Sequence, residues 1–292
     1  MIGTIVNTCT IIADSGSTKT SWLLTDEEGQ RSTFETPGIN PVRDSEDSIS
    51  DILTSLPQAP VSHLYFYGAG CIPPFSDALK ALLQRRFPQA RIVVDSDLMG
   101  AAIALCGNQE GIACILGTGS NSCLYDGERI VANVSPLGYI LGDEGSGAVL
   151  GRNLVGDLLK GQMSPALLEA FTQETGLTRT DIITNVYRQP MPNRFLASLA
   201  PFLERHRQEP LIRAFLIKNF RHFFRRNVAL YHRPDLKVNF VGGIANTFSS
   251  ELSEAARQEG LTLGHIIQRP IEQMADFLLP TDSTTSSPII KL

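Results

Sequence analysis

A strand, a turn rich in glycine and hydroxyl side chains, and a second strand follow one another at two places in this chain of 292 residues. The first copy covers residues 4–25, where Asp14 ends the first predicted strand, and the second copy covers residues 112–125. Apolar, β-branched runs on both sides of a glycine-containing turn are typical of β-hairpins. Because the copies lie in different halves of the chain, this weak internal duplication predicts two related domains with a cleft between them.

The other apolar residues alternate between strand and helix periodicity. Further predicted strands are 30–36, 61–67, 91–94 and 237–241, and predicted helices are 48–56, 74–87, 97–106, most of 143–231, 246–259 and 271–279. This alternation predicts an α/β fold. We assign residues 1–106 to a first domain and residues 107–292 to a second, with a helical insertion at about 150–232. The Ser/Thr/Pro-rich tail from Pro280 is expected either to be mobile or to pack on the first domain.

The charge distribution argues against nucleic acid and membranes as partners. The net charge is −5, from 25 Lys and Arg and 30 Asp and Glu. Residues 194–233 are locally basic, but their charges alternate with apolar residues at helical spacing, which is typical of the solvated face of an amphipathic helix. Residues 1–10 lack the pattern of a secretory leader, and no apolar run approaches the ~18 residues of a membrane span, so a cytoplasmic protein is expected.

Polar groups that suit a phosphate ligand follow the first predicted strand. Asp14 is followed by Gly16, Thr18, Lys19 and Thr20. A carboxylate at the end of a strand can hold a hydrated Mg²⁺ ion, and the amides and hydroxyl groups of a glycine-containing turn can surround phosphate oxygens. A polar β-hairpin without a ligand is the alternative interpretation.

Two later turns have related chemistry. Gly117, Thr118 and Gly119 in the second hairpin again combine small residues with a hydroxyl donor. Gly242 and Gly243 follow a predicted strand and would let an adenine and a ribose lie against the backbone without a Cβ clash. Each turn is common by itself, whereas the order and spacing of all three are much less common.

This order of motifs resembles that of the sugar-kinase, heat-shock chaperone and actin ATPase superfamily. The matching strings are Asp14-x-Gly16-x-Thr18-x-Thr20, Gly117-Thr118-Gly119-Ser120-Asn121, Gly142-Asp143-Glu144-Gly145-Ser146-Gly147 and Val241-Gly242-Gly243. Within the superfamily, the chain is similar to the branch of N-acetylglucosamine kinases, glucosamine kinases and BadF/BadG-type ATPases. The resemblance extends from about Ile11 to Leu279.

The resemblance implies both a fold and an activity. The implied fold is two related actin-like ATPase domains, each ribonuclease H-like, around a nucleotide cleft. The implied activity is ATP-dependent phosphorylation of an amino sugar, N-acetylglucosamine or glucosamine-like, at the 6-hydroxyl group. ATP and Mg²⁺ are the implied cofactors, the small-molecule sugar is the implied partner, and a homodimer is an assembly to be tested.

The resemblance also implies roles for individual residues. It implies that Asp14 orders Mg²⁺ through water, and that nucleotide contacts come from Gly16, Thr18, Lys19, Thr20, Gly117, Thr118, Gly119, Gly242 and Gly243. It implies sugar contacts from Asn40, Asn121 and Asp143. For Asp143 the alternative is an acidic helix cap, which satisfies backbone amides without any ligand.

Asp97 matches the position of the catalytic base in the amino-sugar kinases. A carboxylate there could accept the proton of a sugar hydroxyl as the γ-phosphate arrives, because phosphoryl transfer depends mainly on positioning and charge. The start of a predicted helix at Asp97 would keep the carboxylate ionised. The alternative is that Ser96 or Asp97 is a plain helix cap.

Other enzyme classes fit less well. Val93-Val94-Asp95-Ser96-Asp97 also resembles the start of haloacid-dehalogenase-type phosphatases, but Met99 stands where those enzymes need Thr or Val, and neither a P-loop nor a Gly-x-Gly-x-x-Gly motif after a strand is present. An ATPase activator of 2-hydroxyacyl-CoA dehydratases needs cysteines at helix ends for an iron–sulfur cluster; Cys106 ends a predicted helix, but Cys114 and Cys123 fall in predicted strands. A nucleotide-switch protein without kinase activity would need no base at Asp97.

Overall fold

The computed structural model describes residues 8–16 and 18–279, and within them the chain forms two compact units. One unit consists of residues 8–108, 127–129 and 270–279, and the other of residues 109–126 and 130–269. The tail from Pro280 lies outside the described residues. Among the helices of the described residues, none combines the length and the apolar character needed to cross a membrane.

The first unit is built on a mixed β-sheet. Its strands are β1 (Cys9–Ser15), β2 (Lys19–Thr25), β3 (Arg31–Pro37), β4 (Val61–Gly68) and β5 (Arg91–Ser96), and its first helices are α1 (Glu46–Thr54), α2 (Phe75–Arg86) and α3 (Asp97–Cys106). The order along the sheet is β3-β2-β1-β4-β5. Strands β1, β2 and β3 pair antiparallel, whereas β1, β4 and β5 pair parallel.

The second unit repeats this topology. Its strands are β6 (Gly111–Leu116), β7 (Ser120–Tyr125), β8 (Ile130–Asn133), β9 (Val238–Val241) and β10 (Leu263–Ile267). The order β10-β9-β6-β7-β8 has the same antiparallel hairpins and the same parallel crossovers as the first sheet. The prediction of two related α/β domains is therefore confirmed.

The helices of the second unit lie mostly between β8 and β9. They are α4 (Gly138–Leu141), α5 (Gly147–Leu159), α6 (Pro165–Thr175), α7 (Arg179–Tyr187), α8 (Pro192–Ala197), α9 (Ala200–Arg205) and α10 (Pro210–Arg226), followed by a 3₁₀ turn (Val228–Tyr231). Helices α11 (Gly243–Thr247) and α12 (Ser249–Gln258) connect β9 to β10. The predicted helical insertion corresponds to this run between β8 and β9.

The chain returns to the first unit in its last described helix, α13 (Ile271–Leu278). The helix packs against β1, β2 and α3, and its Met274 side chain is fully buried. Arg31 of β3 also pairs with Asp276, at 2.7 Å. The sequence analysis assigned residues 107–292 to one second domain, whereas the apolar face of α13 is buried on the first sheet.

Strands β8 and β10 were not predicted from the sequence. Strand β8 has only four residues, mostly exposed, so its alternation is too short to detect. Strand β10 contains Gly264, and a Cβ there would lie 2.0 Å from Oδ1 of Asn239 on the neighbouring strand. That oxygen accepts a hydrogen bond from the backbone amide of His265. Gly264, which interrupts the strand pattern in the sequence, is therefore needed for β10 to pair closely with β9.

Helix α10 carries much of the basic segment. Its buried face packs on Phe240 and Phe248 and consists of Ile212, Phe215, Leu216, Phe220, Phe223 and Phe224. On its outer side, Arg221 and Arg225 both pair with Glu259, at 2.5 and 2.8 Å. The predicted amphipathic helix is therefore present, and these two charges are bound by an acidic side chain of the same chain.

A histidine joins three helices of the insertion. The ring nitrogens of His206 lie 2.6 Å from Glu174 and 2.5 Å from Glu209. Burial lowers the pKa of His206, but the hydrogen bonds to both carboxylates outweigh burial and raise that pKa above its ordinary value. The protonated ring therefore stabilises the folded state more than the neutral ring does.

This pair of contacts predicts a pH dependence of stability. The stabilisation of the folded state by protonated His206 is complete below the pKa of an unfolded histidine, about 6.5. It is lost as the pH rises through the higher pKa of the folded state. We expect the free energy of unfolding, measured by urea denaturation, to fall by about 1 kcal/mol or less over this range. The step should disappear in His206→Gln, and a step of equal size in that variant would assign it to another group.

Candidate functional site

The hairpin between β1 and β2 forms the first predicted phosphate turn. The amide of Gly16 donates to the carbonyl oxygen of Lys19 at 3.0 Å, which closes the turn. Gly38 lies directly against it: its amide donates to the carbonyl oxygen of Thr18 at 3.0 Å, and a Cβ at Gly38 would lie 2.5 Å from the carbonyl oxygen of Gly16. The turn is thus held by the loop after β3, while Gly16 and Thr18 stay exposed.

Two buried hydroxyl groups join this loop to the hairpin. The hydroxyl oxygens of Ser15 and Thr20 are 2.7 Å apart, and both accept a hydrogen bond from the amide of Ile39. Thr20 is fully buried, so its hydroxyl group serves this internal network rather than the open side of the turn. Sequence analysis gave Thr20 a phosphate-binding role and overlooked Ser15, although the small hydroxyl residue directly after Asp14 was a visible signal.

Asn40 lies in the same loop and has a fixed side chain. Its Oδ1 accepts a hydrogen bond from the backbone amide of Val42 at 3.0 Å. The backbone amide of Asn40 donates to the carboxylate of Asp44 at 2.8 Å. A Cβ on Gly70, which has φ +81°, would lie 2.2 Å from that Oδ1. Only glycine therefore permits the approach of this side chain.

Lys19 is the one cation in the predicted phosphate turn. Its Nζ lies 2.5 Å from a carboxylate oxygen of Glu35 on β3, and both side chains are partly exposed. An exposed pair of this kind has little net stability, so the ammonium group can exchange partners at low cost.

Asp97 begins α3 directly after β5. Ser96 is the cap of the helix, because its Oγ accepts the amide of Met99 at 3.2 Å. The backbone amides of Asp97 and Leu98 lower the pKa of the Asp97 carboxyl group, against the larger effect of burial. Of the two residues considered as caps, Ser96 performs that role, and Asp97 adds a carboxylate in the first helical turn.

Close packing fixes the position of α3. A Cβ at Gly100 would lie 2.7 Å from Cβ of Tyr67 on β4, and 3.5 Å from the terminal methyl group of Met274. The helix that carries Asp97 therefore touches the sheet on one side and α13 on another.

The pKa values of Asp14 and Asp97 are both raised, and the charge of Asp97 contributes to the shift at Asp14. Burial, and then the negative charge of Asp97, raise the pKa of Asp14 to about 7, against the opposite effect of Lys19. Burial also raises the pKa of Asp97 to about 6, against its backbone hydrogen bonds. A cation would reduce the cost of ionising both groups, and carboxylate oxygens are donors that Mg²⁺ prefers. The residues present therefore fit a divalent cation.

In the second unit, the hairpin between β6 and β7 forms the second predicted phosphate turn. The amide of Gly117 donates to the carbonyl oxygen of Gly119 at 3.0 Å. The first amides of α5, at Gly147 and Ala148, donate to the carbonyl oxygens of Gly117 and Thr118 at 2.8 and 3.1 Å. The start of α5 therefore holds this turn in place.

A cavity of about 360 Å³ adjoins this turn within the second unit. Its lining includes Gly117, Thr118 and Gly243, so the structure brings together residues from the second and third predicted motifs. The remaining wall was not predicted and consists of Ala197, Ala200, Pro201, Glu204, Ile244, Thr247 and Phe248. The lining combines apolar side chains with the polar groups of Thr118, Glu204 and Thr247, a mixture that also occurs in small-molecule sites.

Gly242 and Gly243 play different parts beside this cavity. Gly242 has φ +123°, and a Cβ there would lie 2.3 Å from the carbonyl oxygen of Leu116 at the end of β6. A Cβ at Gly243 would meet no described atom within 4 Å. Gly242 thus permits the close approach of two backbones, whereas Gly243 presents open backbone to the cavity.

Asp143 lies against the second turn. Its Oδ1 accepts the amide of Ser120 at 3.3 Å, and its Oδ2 would lie 3.1 Å from a Cβ on Gly119. Burial raises the pKa of Asp143 to about 6, although the hydrogen bond from Ser120 lowers it. Its φ of 52° is left-handed, a conformation that costs energy in a residue with a Cβ and is concentrated at functional sites. Ser146, not Asp143, caps α5.

Asn121, the third predicted sugar contact, lies on β7. Its Oδ1 accepts hydrogen bonds from the amide of Ser122 and from Nδ2 of Asn133 on β8, both at 2.9 Å. These bonds fix the carboxamide through its oxygen.

The two cysteines weighed for an iron–sulfur cluster, Cys114 and Cys123, are fully buried in β6 and β7. They are core residues, as expected from the sequence.

The fold and the turns define the class of this protein. Two ribonuclease H-like units, each with a glycine-containing hairpin between its first two strands, are the architecture of the actin-like ATPases. A candidate N-acetylglucosamine kinase from Porphyromonas gingivalis is 50% identical, with a TM-score of 0.88 over 92% of this chain and 98% of that one. The chain therefore belongs to the N-acetylglucosamine kinase branch of the sugar-kinase, heat-shock chaperone and actin superfamily.

Two more distant proteins are also similar. A candidate N-acetylglucosamine kinase from Chromobacterium violaceum has the same fold, with a TM-score of 0.74 at 22% identity over 92% of this chain and 98% of that one. A glucosamine kinase from Vibrio cholerae is 25% identical over 194 residues, which are 62% of this chain and 63% of that relative. The match thus spans less than two thirds of this curated relative. No family model matches the chain.

Proposed function

We propose that this protein transfers the γ-phosphoryl group of ATP to a hydroxyl group of an amino sugar. The observation that carries the proposal is the position of the Asp97 carboxylate in the first turn of α3, where Ser96 caps the helix and burial raises the pKa of Asp97 to about 6. Such a group is ionised at neutral pH and still basic enough to accept a proton. The kinase names of the Porphyromonas and Vibrio relatives support this activity.

Candidate nucleotide contacts are proposed for each unit separately. In the second unit, the cavity beside Gly243 would hold the adenosine, and the turn from Gly117 to Gly119 would bind phosphate oxygens through its amides. In the first unit, Gly16, Thr18 and Lys19 would contact the terminal phosphates. Thr20 would act only indirectly, because its buried hydroxyl group orders the loop that packs on this turn.

Asp14 would hold Mg²⁺ through water. The ion would supply charge neutralisation for the phosphate oxygens. The pKa of about 7 at Asp14 fits this role, because a carboxylate that is costly to ionise alone is stabilised by a neighbouring cation.

Asp97 would act as the general base. As the sugar oxygen forms its bond to the γ-phosphorus, its proton moves to the Asp97 carboxylate and the bond from phosphorus to the ADP oxygen breaks. We propose the 6-hydroxyl group as the acceptor, since a primary alcohol extends beyond the ring. Asp143 and the fixed carboxamides of Asn40 and Asn121 would orient the other polar groups of the sugar.

A coupled assay of ADP release tests this proposal. We expect glucosamine or N-acetylglucosamine to stimulate ADP release well above the rate without sugar, with glucose as a weaker substrate, because an enzyme that closes on its sugar avoids wasteful hydrolysis. ¹³C and ³¹P NMR of the product would identify the phosphorylated position. ATP hydrolysis that no sugar stimulates would contradict the kinase proposal and favour an activator or a switch protein.

A further inference from the structure

Asp143 and Glu144 are adjacent in the sequence, but their carboxylates contact different parts of the second unit. Asp143 lies on the second turn, whereas the carboxylate of Glu144 pairs with Nε of Arg226 and accepts a hydrogen bond from Asn227 at 3.3 Å. Glu144 thereby lines a second cavity of about 270 Å³, next to α4, α5 and α10. This cavity has no part in the function proposed above.

The second cavity is unusually rich in donor groups. Its polar lining residues are Glu144, Arg152, Asn153, Asn219, His222 and Arg226. Two arginines, set against one carboxylate, give this lining a positive balance in a chain whose net charge is −5. The two arginines distinguish this lining from that of the cavity beside Gly243, where Glu204 is the charged lining residue.

Several of these donors are not used inside the protein. Arg152 uses Nη1 to donate to the carbonyl oxygens of Tyr139 and Ile140 at the end of α4, and Arg226 uses Nε for Glu144. Within residues 8–16 and 18–279, Nη2 of Arg152, the Nη groups of Arg226 and both ring nitrogens of His222 have no hydrogen-bond partner.

The cavity wall beneath these donors is rigid. Nδ2 of Asn153 donates to Oδ1 of Asn219 at 2.7 Å, and Nδ2 of Asn219 donates to the carbonyl oxygen of Phe215 at 2.8 Å. Asn219 is buried, so this ladder joins α5 to α10 and fixes the distance between the helices that carry Arg152 and His222. The backbone that carries the donors is therefore held in place, so binding needs to order only the donor side chains.

We propose that this cavity binds a small ligand that carries an oxyanion, either a phosphate monoester or a carboxylate. Guanidinium groups bind both anions through paired N–H donors, and an imidazole adds a third donor. The anion would compete with Glu144 for Arg226. The lining also includes the apolar side chains of Ile140 and Val149, which suit the uncharged part of the ligand.

NMR of the full-length chain with ¹³C-labelled histidine tests the site without nucleotide or sugar, so the result is independent of kinase activity. Inorganic phosphate is titrated against sodium chloride of equal ionic strength, and the His222 resonance is assigned by its loss in His222→Gln. We expect a saturable shift of this resonance with a dissociation constant on the order of 1 mM. The absence of a shift, or the same shift in chloride, would overturn the proposal.

Matched variants locate the binding. Arg152→Gln should weaken phosphate binding about 10-fold, since it removes charge-assisted hydrogen bonds but retains an amide donor for the end of α4. Arg225→Gln also removes one positive charge, but at a residue of α10 that pairs with Glu259 outside the cavity. This variant should bind phosphate with the affinity of the wild type. Equal weakening in both variants would mean general electrostatic attraction and would refute a site.

Two further measurements complete the test. If Arg152→Gln does not fold, Arg226→Gln should give the same loss of binding, and unchanged binding in that variant would contradict the proposal. Acetate and glucosamine 6-phosphate distinguish the ligand classes in the wild type. Tighter binding of the sugar phosphate supports a phosphate monoester, and tighter binding of acetate supports a carboxylate.

Discussion

Asp97→Asn is expected to lower kcat about 100-fold or more, the lower range for loss of a general base, and to leave the dissociation constant for ATP unchanged. Asparagine has nearly the same shape, and Ser96 continues to cap α3, so the helix should keep its position. The amide cannot accept the proton of the sugar hydroxyl. Steady-state kinetics with the sugar that gives the fastest ADP release measure kcat, and a nucleotide titration measures the dissociation constant for ATP.

Asp95→Asn is the matched control for this variant. Asp95 lies two residues earlier, is exposed, and accepts a hydrogen bond from the amide of Ser96 at 2.6 Å. We expect its kcat to remain close to that of the wild type. Turnover in Asp97→Asn at the wild-type rate would remove Asp97 from the proposed mechanism.

The pH profile gives a second readout for Asp97. Its carboxyl group must be ionised to act as a base, so kcat should fall as the pH drops through the pKa of Asp97, which is about 6 without a bound cation and lower when Mg²⁺ is bound. The acid limb should be absent from the residual activity of Asp97→Asn. An identical acid limb in the variant would assign it to another group.

Gly242→Ala is expected to destabilise the second unit by on the order of 3 kcal/mol. The new Cβ would lie 2.3 Å from the carbonyl oxygen of Leu116, at a φ of +123° that disfavours any residue with a Cβ. The end of β6 and the start of α11 would have to separate, and both adjoin the cavity proposed for the nucleoside. Urea denaturation measures the loss of stability.

Gly243→Ala provides the contrast at the next residue. Its Cβ would meet no described atom within 4 Å, so we expect the free energy of unfolding to change by less than about 1 kcal/mol. ATP binding should nevertheless weaken about 10-fold, because the methyl group enters space proposed for the nucleoside. Unchanged ATP affinity in Gly243→Ala would separate this cavity from nucleotide binding.

The sequence was sufficient to predict the two sheets in outline, because each begins with a hairpin whose turn has a local signature. Strand alternation and the glycine-containing turns after Asp14 and Leu116 are properties of a few consecutive residues. The position of Asp97 at the start of α3 was also predictable, since an apolar strand is followed there by a polar cap.

Other features depend on residues that are distant in sequence. The burial of Thr20 follows from the approach of Gly38, and part of the wall of the cavity beside Gly243 comes from α8 and α9, whose local sequences resemble ordinary helices. The opposite orientations of Asp143 and Glu144 follow from a left-handed backbone at Asp143, for which the sequence has no glycine to signal it.

The return of α13 to the first unit affects the order in which the protein can be completed during synthesis. Met274 fills the space next to Gly100, so α3 lacks this packing until residue 274 has left the ribosome. By then the whole second unit, which ends at residue 269, has been translated and can already fold. The helix that carries Asp97 is therefore among the last parts of the molecule to gain its final packing, and a prematurely terminated chain would retain the second unit but not a finished first one.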